Sequence, residues 1–155
     1  MTYAELHCHS AYSFLDGASQ PEELAVRAAE LGYEALALTD HDGVYGSLEF
    51  AHAANAFGLR AVTGAEVTLE GGAHVTLLVE TPKGYANLCR LLTEAHAATR
   101  PKPGDEPLPP ALPLRSLLEM NEGLVCLSGC SRYGLGVLRP NDAACLLSAS
   151  LRRRR

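Results

Sequence analysis

Residues 3–10 read Tyr3-Ala4-Glu5-Leu6-His7-Cys8-His9-Ser10, and Asp16-Gly17 follows closely. The apolar–polar alternation from Tyr3 to Leu6 predicts a strand, on which residues i and i+2 point the same way. His7 and His9 then share one face, and Cys8 packs on the other. Two imidazoles buried side by side without partners are costly. A divalent cation makes the same arrangement favourable, because imidazole is a good ligand for zinc, iron or manganese. The plain alternative is a polar strand edge, and His-x-His alone does not separate the two.

Working outward, Ser19-Gln20-Pro21-Glu22 predicts a capping box opening a helix, with Leu24, Ala28 and Leu31 on its inner face and Gly32 as its stop. Residues 34–39 predict a short buried strand running into Asp40-His41-Asp42-Gly43. Residues 47–57 predict a second helix, with Phe50, Ala54 and Phe57 inward, and residues 59–67 a strand carrying Glu66 near its end. Gly71-Gly72 is a turn before a strand over 73–79. Pro82 starts a third helix with Leu88, Leu91, Leu92 and Ala95 on one face and His96 near its end. Residues 100–113 hold six of the nine prolines and predict an irregular loop. A short helix over 114–120, a strand over 123–128 delivering Gly129-Cys130, and a last helix capped by Asn141 or Asp142 complete the reading.

Strand–helix alternation places the chain in the α/β class. His7 and His9, Asp40 and His41, Glu66, and Cys130 all fall at or near strand ends. A β/α barrel builds its active site from C-terminal strand ends and the loops after them. Each residue also has a plainer reading. Asp16 suits a turn before Gly17. Asp40 can cap a helix or orient a ligand from behind. Glu66 can be a solvated charge or, beside the histidines, a carboxylate bridging two metals. Cys130 can be a small buried thiol or a soft ligand. His96 is not distinguished by periodicity. Ser10 and Ser13 lack a recognisable base and orienter, which argues against a serine nucleophile. Cys126 and Cys130 have no second pair at finger spacing, which excludes a zinc knuckle.

The chain has 155 residues, 47% hydrophobic and 20% charged, with a formal net charge of −5. That suits one globular domain and argues against a basic nucleic-acid-binding surface on this segment. It leaves room for a nucleic-acid end at a metal site, where bound cations reverse the local field. Five cysteines without framework spacing read as free thiols or ligands. No signal pattern and no long apolar stretch is present, so a cytoplasmic protein without a membrane partner is expected.

In order along the chain, His7-x-His9, Asp16-Gly17, Thr39-Asp40-His41-Asp42-Gly43, Gly64-Ala65-Glu66 and Leu127-Ser128-Gly129-Cys130 resemble the PHP (polymerase and histidinol phosphatase) domain, from Tyr3 to Val137. YAELHCHSAYSFLDGAS and LALTDHDGVYG are most similar to the N-terminal PHP domain of error-prone bacterial C-family DNA polymerases, of the polymerase III alpha-subunit type. The resemblance implies a distorted, TIM-like β/α barrel with up to three divalent metals (zinc, manganese or iron) at its C-terminal face. It implies that His7, His9 and Glu66 hold one metal, that Glu66, His96 and Cys130 hold a second, and that Asp16 and His41 contribute to a third. It implies phosphoester hydrolysis, acting in polymerases as a 3′-5′ exonuclease. The partners would be a DNA 3′ end and the rest of a polymerase engaged in DNA synthesis and repair. Two alternatives remain: a free-standing phosphatase of histidinol-phosphate type, and a structural module without catalysis. The family pattern includes a late Asp-x-His pair, and none occurs after Cys130. Residues 1–137 are therefore expected to be an incomplete PHP domain, truncated at its C-terminus, and residues 138–155 a non-matching tail. Polymerase palm, fingers and thumb are absent, and weak or no activity is expected of these 155 residues.

Overall fold

The computed structural model describes residues 3–99, 102, 104–129 and 133–134. The expectations for Cys130, for residues 138–155 and for a last helix lie outside the described residues. The chain is mixed α/β and forms two compact units, Met1–Glu66 and Val67–Arg155.

The first unit runs β1 (Ala4–Cys8), α1 (Pro21–Glu30), β2 (Ala35–Leu38), α2 (Ser47–Ala56) and into β3 (Arg60–Thr68). The three strands are parallel: Ala4 pairs with Ala35 and Glu5 with Leu36, and Ala35 to Leu38 pair with Arg60 to Thr63. Their C-terminal ends consequently lie along one edge, as parallel crossovers through a helix require. Between Glu5 and Cys8, the stretch that holds His7, the register shifts by one residue on β1. Such an irregularity re-aims a side chain next to a site.

The core of this unit is small and well filled. Ala25 and Ala28 of α1 meet Phe50 and Ala54 of α2 over Leu36, Leu38 and Leu59, with Cys8 against their edge. Alanines at the contact let the helices approach closely, and Phe50 fills the space between them. Both helices end alike. Gly32 and Gly58 take positive φ, 71° and 69°, and the amides of Tyr33 and Leu59 return to Ala28 and Ala54 carbonyls. Glycine adopts this conformation without a Cβ penalty.

Three details differ from the sequence reading. The helix cap is Gln20, whose N–H donates to the Glu23 carboxylate at 2.8 Å, one residue later than the expected box. Leu31 and Phe57 are exposed rather than inward, because each follows the last helical residue and leaves the buried stripe.

In the second unit, β4 (His74–Val79) and β5 (Leu124–Leu127) pair antiparallel, with α3 (Pro82–Ala95) and α4 (Leu114–Glu119) between them in sequence. This departs from uniform parallel alternation. Two helices between two strands reverse the chain once more than one helix does, so β5 begins where β4 ends, and Glu80 N–H donates to Gly123 O at 2.9 Å. Leu88, Leu91, Leu92 and Ala95 are all buried, as their spacing predicts. Thr81 caps α3 by accepting from Gly84 N–H at 3.1 Å. Among the described residues no helix is long and apolar enough to cross a membrane.

Candidate metal centre

The C-terminal edge of the first unit collects the polar residues. β1 carries His7 and ends one residue before His9. β2 ends at Leu38 and hands the chain to Asp40 and His41. β3 brings in Glu66. Beyond β2 the pairing continues irregularly: Glu66 N–H donates to Asp40 O at 3.1 Å and Asp42 N–H to Glu66 O at 2.8 Å. This bridge fixes Glu66 beside His41, with its side chain buried. Asp42 takes a left-handed φ of 48°, a conformation that aspartate tolerates better than most residues.

His7, His9 and Glu66 each present a ligand atom, all within 4.8 Å of one another. His9 Nε2 lies 3.2 Å from His7 Nε2 and 3.4 Å from Glu66 Oε2, while His7 Nε2 hydrogen-bonds that same carboxylate oxygen. The other carboxylate oxygen, Oε1, is 3.9 Å from His41 Nδ1. Glu66 thus addresses the β1 histidines with one oxygen and His41 with the other. The hydrogen bond to Glu66 raises the His7 pKa above its ordinary value, with burial opposing and the carboxylate charge adding to it. A buried carboxylate facing two imidazoles is a donor set that suits a divalent cation of the zinc, manganese or iron type.

A second pair stands next to the first. His41 Nε2 is 2.6 Å from Asp16 Oδ2, and the His9 and His41 rings lie with centroids 4.5 Å apart. Asp16 reaches this place because the loop after β1 closes on itself. Gly17 sits so tightly against Ser10 that a Cβ on it would lie 1.9 Å from the Ser10 carbonyl oxygen. Leu15, just before, is fully exposed with a positive φ of 71°. Bonding to His41, and then the charge of that ring, holds the Asp16 carboxyl below the usual carboxylate range.

Asp40 is 1% exposed and takes no part in the ring contacts described above. Its Oδ1 accepts from Ser10 N–H at 2.7 Å and from Ser13 Oγ at 2.8 Å, and its Oδ2 accepts from Ser10 Oγ at 2.8 Å. Ser13 Oγ also lies 2.9 Å from His9 Nδ1 and 3.1 Å from His41 N. Both serines are buried. Sequence reasoning weighed them only as nucleophiles. The available signal was their place directly after the histidines, three residues apart, in a loop whose serines had no solvent-facing reason to be there.

Of the other expected site residues, His96 belongs to the second unit, where it caps the C-terminus of α3 and its carbonyl accepts from Thr99 Oγ1 at 2.8 Å. The five-residue convergence expected of His7, His9, Glu66, His96 and Cys130 is therefore described for the first three.

A family model described as the PHP domain matches residues 5–139. The error-prone DNA polymerase of Symbiobacterium thermophilum is 48% identical over 142 residues, which are 85% of this chain and 13% of that protein. The error-prone DNA polymerase of Cutibacterium acnes is 41% identical over 165 residues, 99% of this chain and 14% of that protein. The chain thus spans about one-seventh of the length of these relatives. Among solved structures, a candidate metal-dependent phosphoesterase from Bifidobacterium adolescentis superposes with a TM-score of 0.68 at 15% identity, covering 96% of this chain and 74% of that one. An amidohydrolase from Chromobacterium violaceum, with bound sulfate and no metal, gives a TM-score of 0.52 at 36% identity, over 61% of this chain and 33% of that one.

Proposed function

The chain belongs to the PHP domain family, and from that premise we propose that its first unit binds a divalent cation on His7, His9 and Glu66 at a site built for phosphoester hydrolysis. The observation that carries this reading is the convergence of two imidazole nitrogens and a buried carboxylate within 4.8 Å. In a parent polymerase of the error-prone type, the substrate would be a DNA 3′ end and the reaction a 3′-5′ exonuclease step. The relatives named above support that parentage.

When bound, the cation supplies Lewis acidity toward a phosphoryl oxygen and makes its water more acidic. The chain's own groups do the rest. His7 on β1 and His9 just after it offer nitrogen ligands. Glu66 brings negative charge that offsets part of the cation's, and its second oxygen faces His41, so the carboxylate can serve two positions at once. Contact with His41 holds the Asp16 carboxyl below its ordinary value, placing a further anionic group next to the site. Zinc, manganese and iron all suit this set of donors.

The test has two arms on the 155-residue chain. Elemental analysis after equilibration with zinc, manganese or iron is expected to give one or two ions per chain, lost in His7→Ala/His9→Ala. Release of nucleotides from a labelled 3′ end with added manganese is expected to be weak, chelator-sensitive and abolished in Glu66→Gln. A chain that retains no ion under any of these conditions would overturn the reading.

A further inference from the structure

We propose that Ser13 is a positioning residue: by donating its hydroxyl hydrogen bond to Asp40 it obliges His9 to carry its proton on Nδ1, leaving Nε2 open as a metal ligand. This rests on the reading of His9 as a ligand but is decided by counting protons in the metal-free chain.

An ionised carboxylate only accepts hydrogen bonds, and a serine hydroxyl has one proton to give. Asp40 Oδ1 is 2.8 Å from Ser13 Oγ, in a place without solvent. If the Ser13 proton pointed anywhere else, two lone-pair oxygens would face each other there at van der Waals overlap. The Ser13 proton therefore goes to Asp40. What remains on Ser13 Oγ are lone pairs, and two groups approach them. One is the His41 backbone N–H at 3.1 Å, which can only donate. The other is His9 Nδ1 at 2.9 Å. With its proton already given away, Ser13 can satisfy that nitrogen only by accepting from it. A neutral imidazole has a single N–H, so His9 Nε2 is left with a lone pair. That is the nitrogen lying 3.2 Å from His7 Nε2 and 3.4 Å from Glu66 Oε2.

The rest of the network keeps Asp40 in this role. Ser10 gives it two further hydrogen bonds, from N–H and Oγ. The carboxylate thus accepts three hydrogen bonds from uncharged donors, two from Ser10 and one from Ser13. A histidine ligand whose remote N–H is held by a carboxylate is a common arrangement. Here a serine stands between the two, and the same hydroxyl also pins the His41 backbone, so one side chain sets the ring of His9 and the path of the chain into His41.

The test is the protonation pattern of His9 in 15N-labelled, metal-free chain above neutral pH, read from long-range 1H–15N correlations and assigned by the loss of signals in His9→Asn. The wild type is expected to show the proton on Nδ1. Ser13→Ala is expected to move it toward Nε2, Ser13→Thr to restore Nδ1, and Ser10→Ala to leave it on Nδ1 while lowering stability. Zinc affinity measured by competition with a chelating dye should fall about 10–100-fold in Ser13→Ala. A wild-type His9 protonated on Nε2 overturns the proposal, even if Ser13→Ala does not fold, as does an unchanged pattern in a folded Ser13→Ala. If the Nδ1 pattern is found and no ion binds, the positioning role stands and the metal reading falls.

Discussion

His41 Nε2 lies 2.6 Å from Asp16 Oδ2, tying the loop after β1 to the loop after β2 across 25 residues of sequence. The pair has a pH signature of defined sign. The folded pKa of Asp16 is depressed, chiefly by the hydrogen bond from His41. A depressed carboxyl contributes stability above its unfolded pKa of about 3.9, and that contribution is lost as pH falls through the folded value. Asp16 is largely exposed, so the contribution is that of a surface pair, about 1 kcal/mol or less. Asp16→Asn should be slightly less stable than the parent at about pH 6, and the two should converge in acid. Urea unfolding across that range checks this; a gap that widens in acid would contradict it.

Phe50 carries the packing of the first unit. It is 1% exposed between α1 and α2, surrounded by Ala25, Ala28, Leu36 and Leu38. Small neighbours cannot extend into the space it would vacate. Phe50→Ala should cost about 3–5 kcal/mol in chemical denaturation. A loss near 1 kcal/mol would mean that the helices collapse onto the sheet more freely than packed cores usually do.

Gly17 is required by its neighbour. An added Cβ would meet the Ser10 carbonyl oxygen at 1.9 Å, and backbone cannot step aside as a flexible side chain can. Gly17→Ala should cost about 1–3 kcal/mol, the range for overpacking. Because Asp16 is the next residue, the loop shift should also erase the acid signature of the Asp16–His41 pair. A folded Gly17→Ala that keeps that signature intact would separate the glycine from the placement of Asp16.

Burial pushes the Cys126 thiol up to about 11. The thiolate is the reactive form. Relative to an ordinary cysteine near 8.5, alkylation by iodoacetamide at about pH 8 should be slowed by two orders of magnitude or more in the folded chain. Mass spectrometry of the Cys126 peptide, native against urea-unfolded, gives the ratio. Equal rates would place Cys126 at the surface.

Much of this arrangement was legible in the sequence, and what was not has a common cause. The α/β class, the helix stripe of Leu88, Leu91, Leu92 and Ala95, and the stops at Gly32 and Gly58 are local patterns with a period. The nearness of His7 and His9 was legible from their i, i+2 spacing, although β1 is irregular there and ends before His9. Glu66 was found because it is a carboxylate near the end of an apolar strand. Burial at helix ends was misjudged: Leu31 and Phe57 lie just past the last helical residue and are exposed. Ser13 went unrecognised because its partner Asp40 is 27 residues away, and no period connects them. Asp40 was read as an orienting carboxylate without the intermediary that links it to a ring.

His7 and Glu66 are 59 residues apart. At a synthesis rate of about 5–20 residues per second, the ribosome presents the two histidines about 3–12 s before the carboxylate exists. During that interval a passing ion meets an imidazole pair that still lacks its carboxylate. On the proposed metal reading, capture of a cation would belong to the end of assembly, after β3 has docked. Added during refolding, it should leave the forward rate alone and act as a brake on the reverse one.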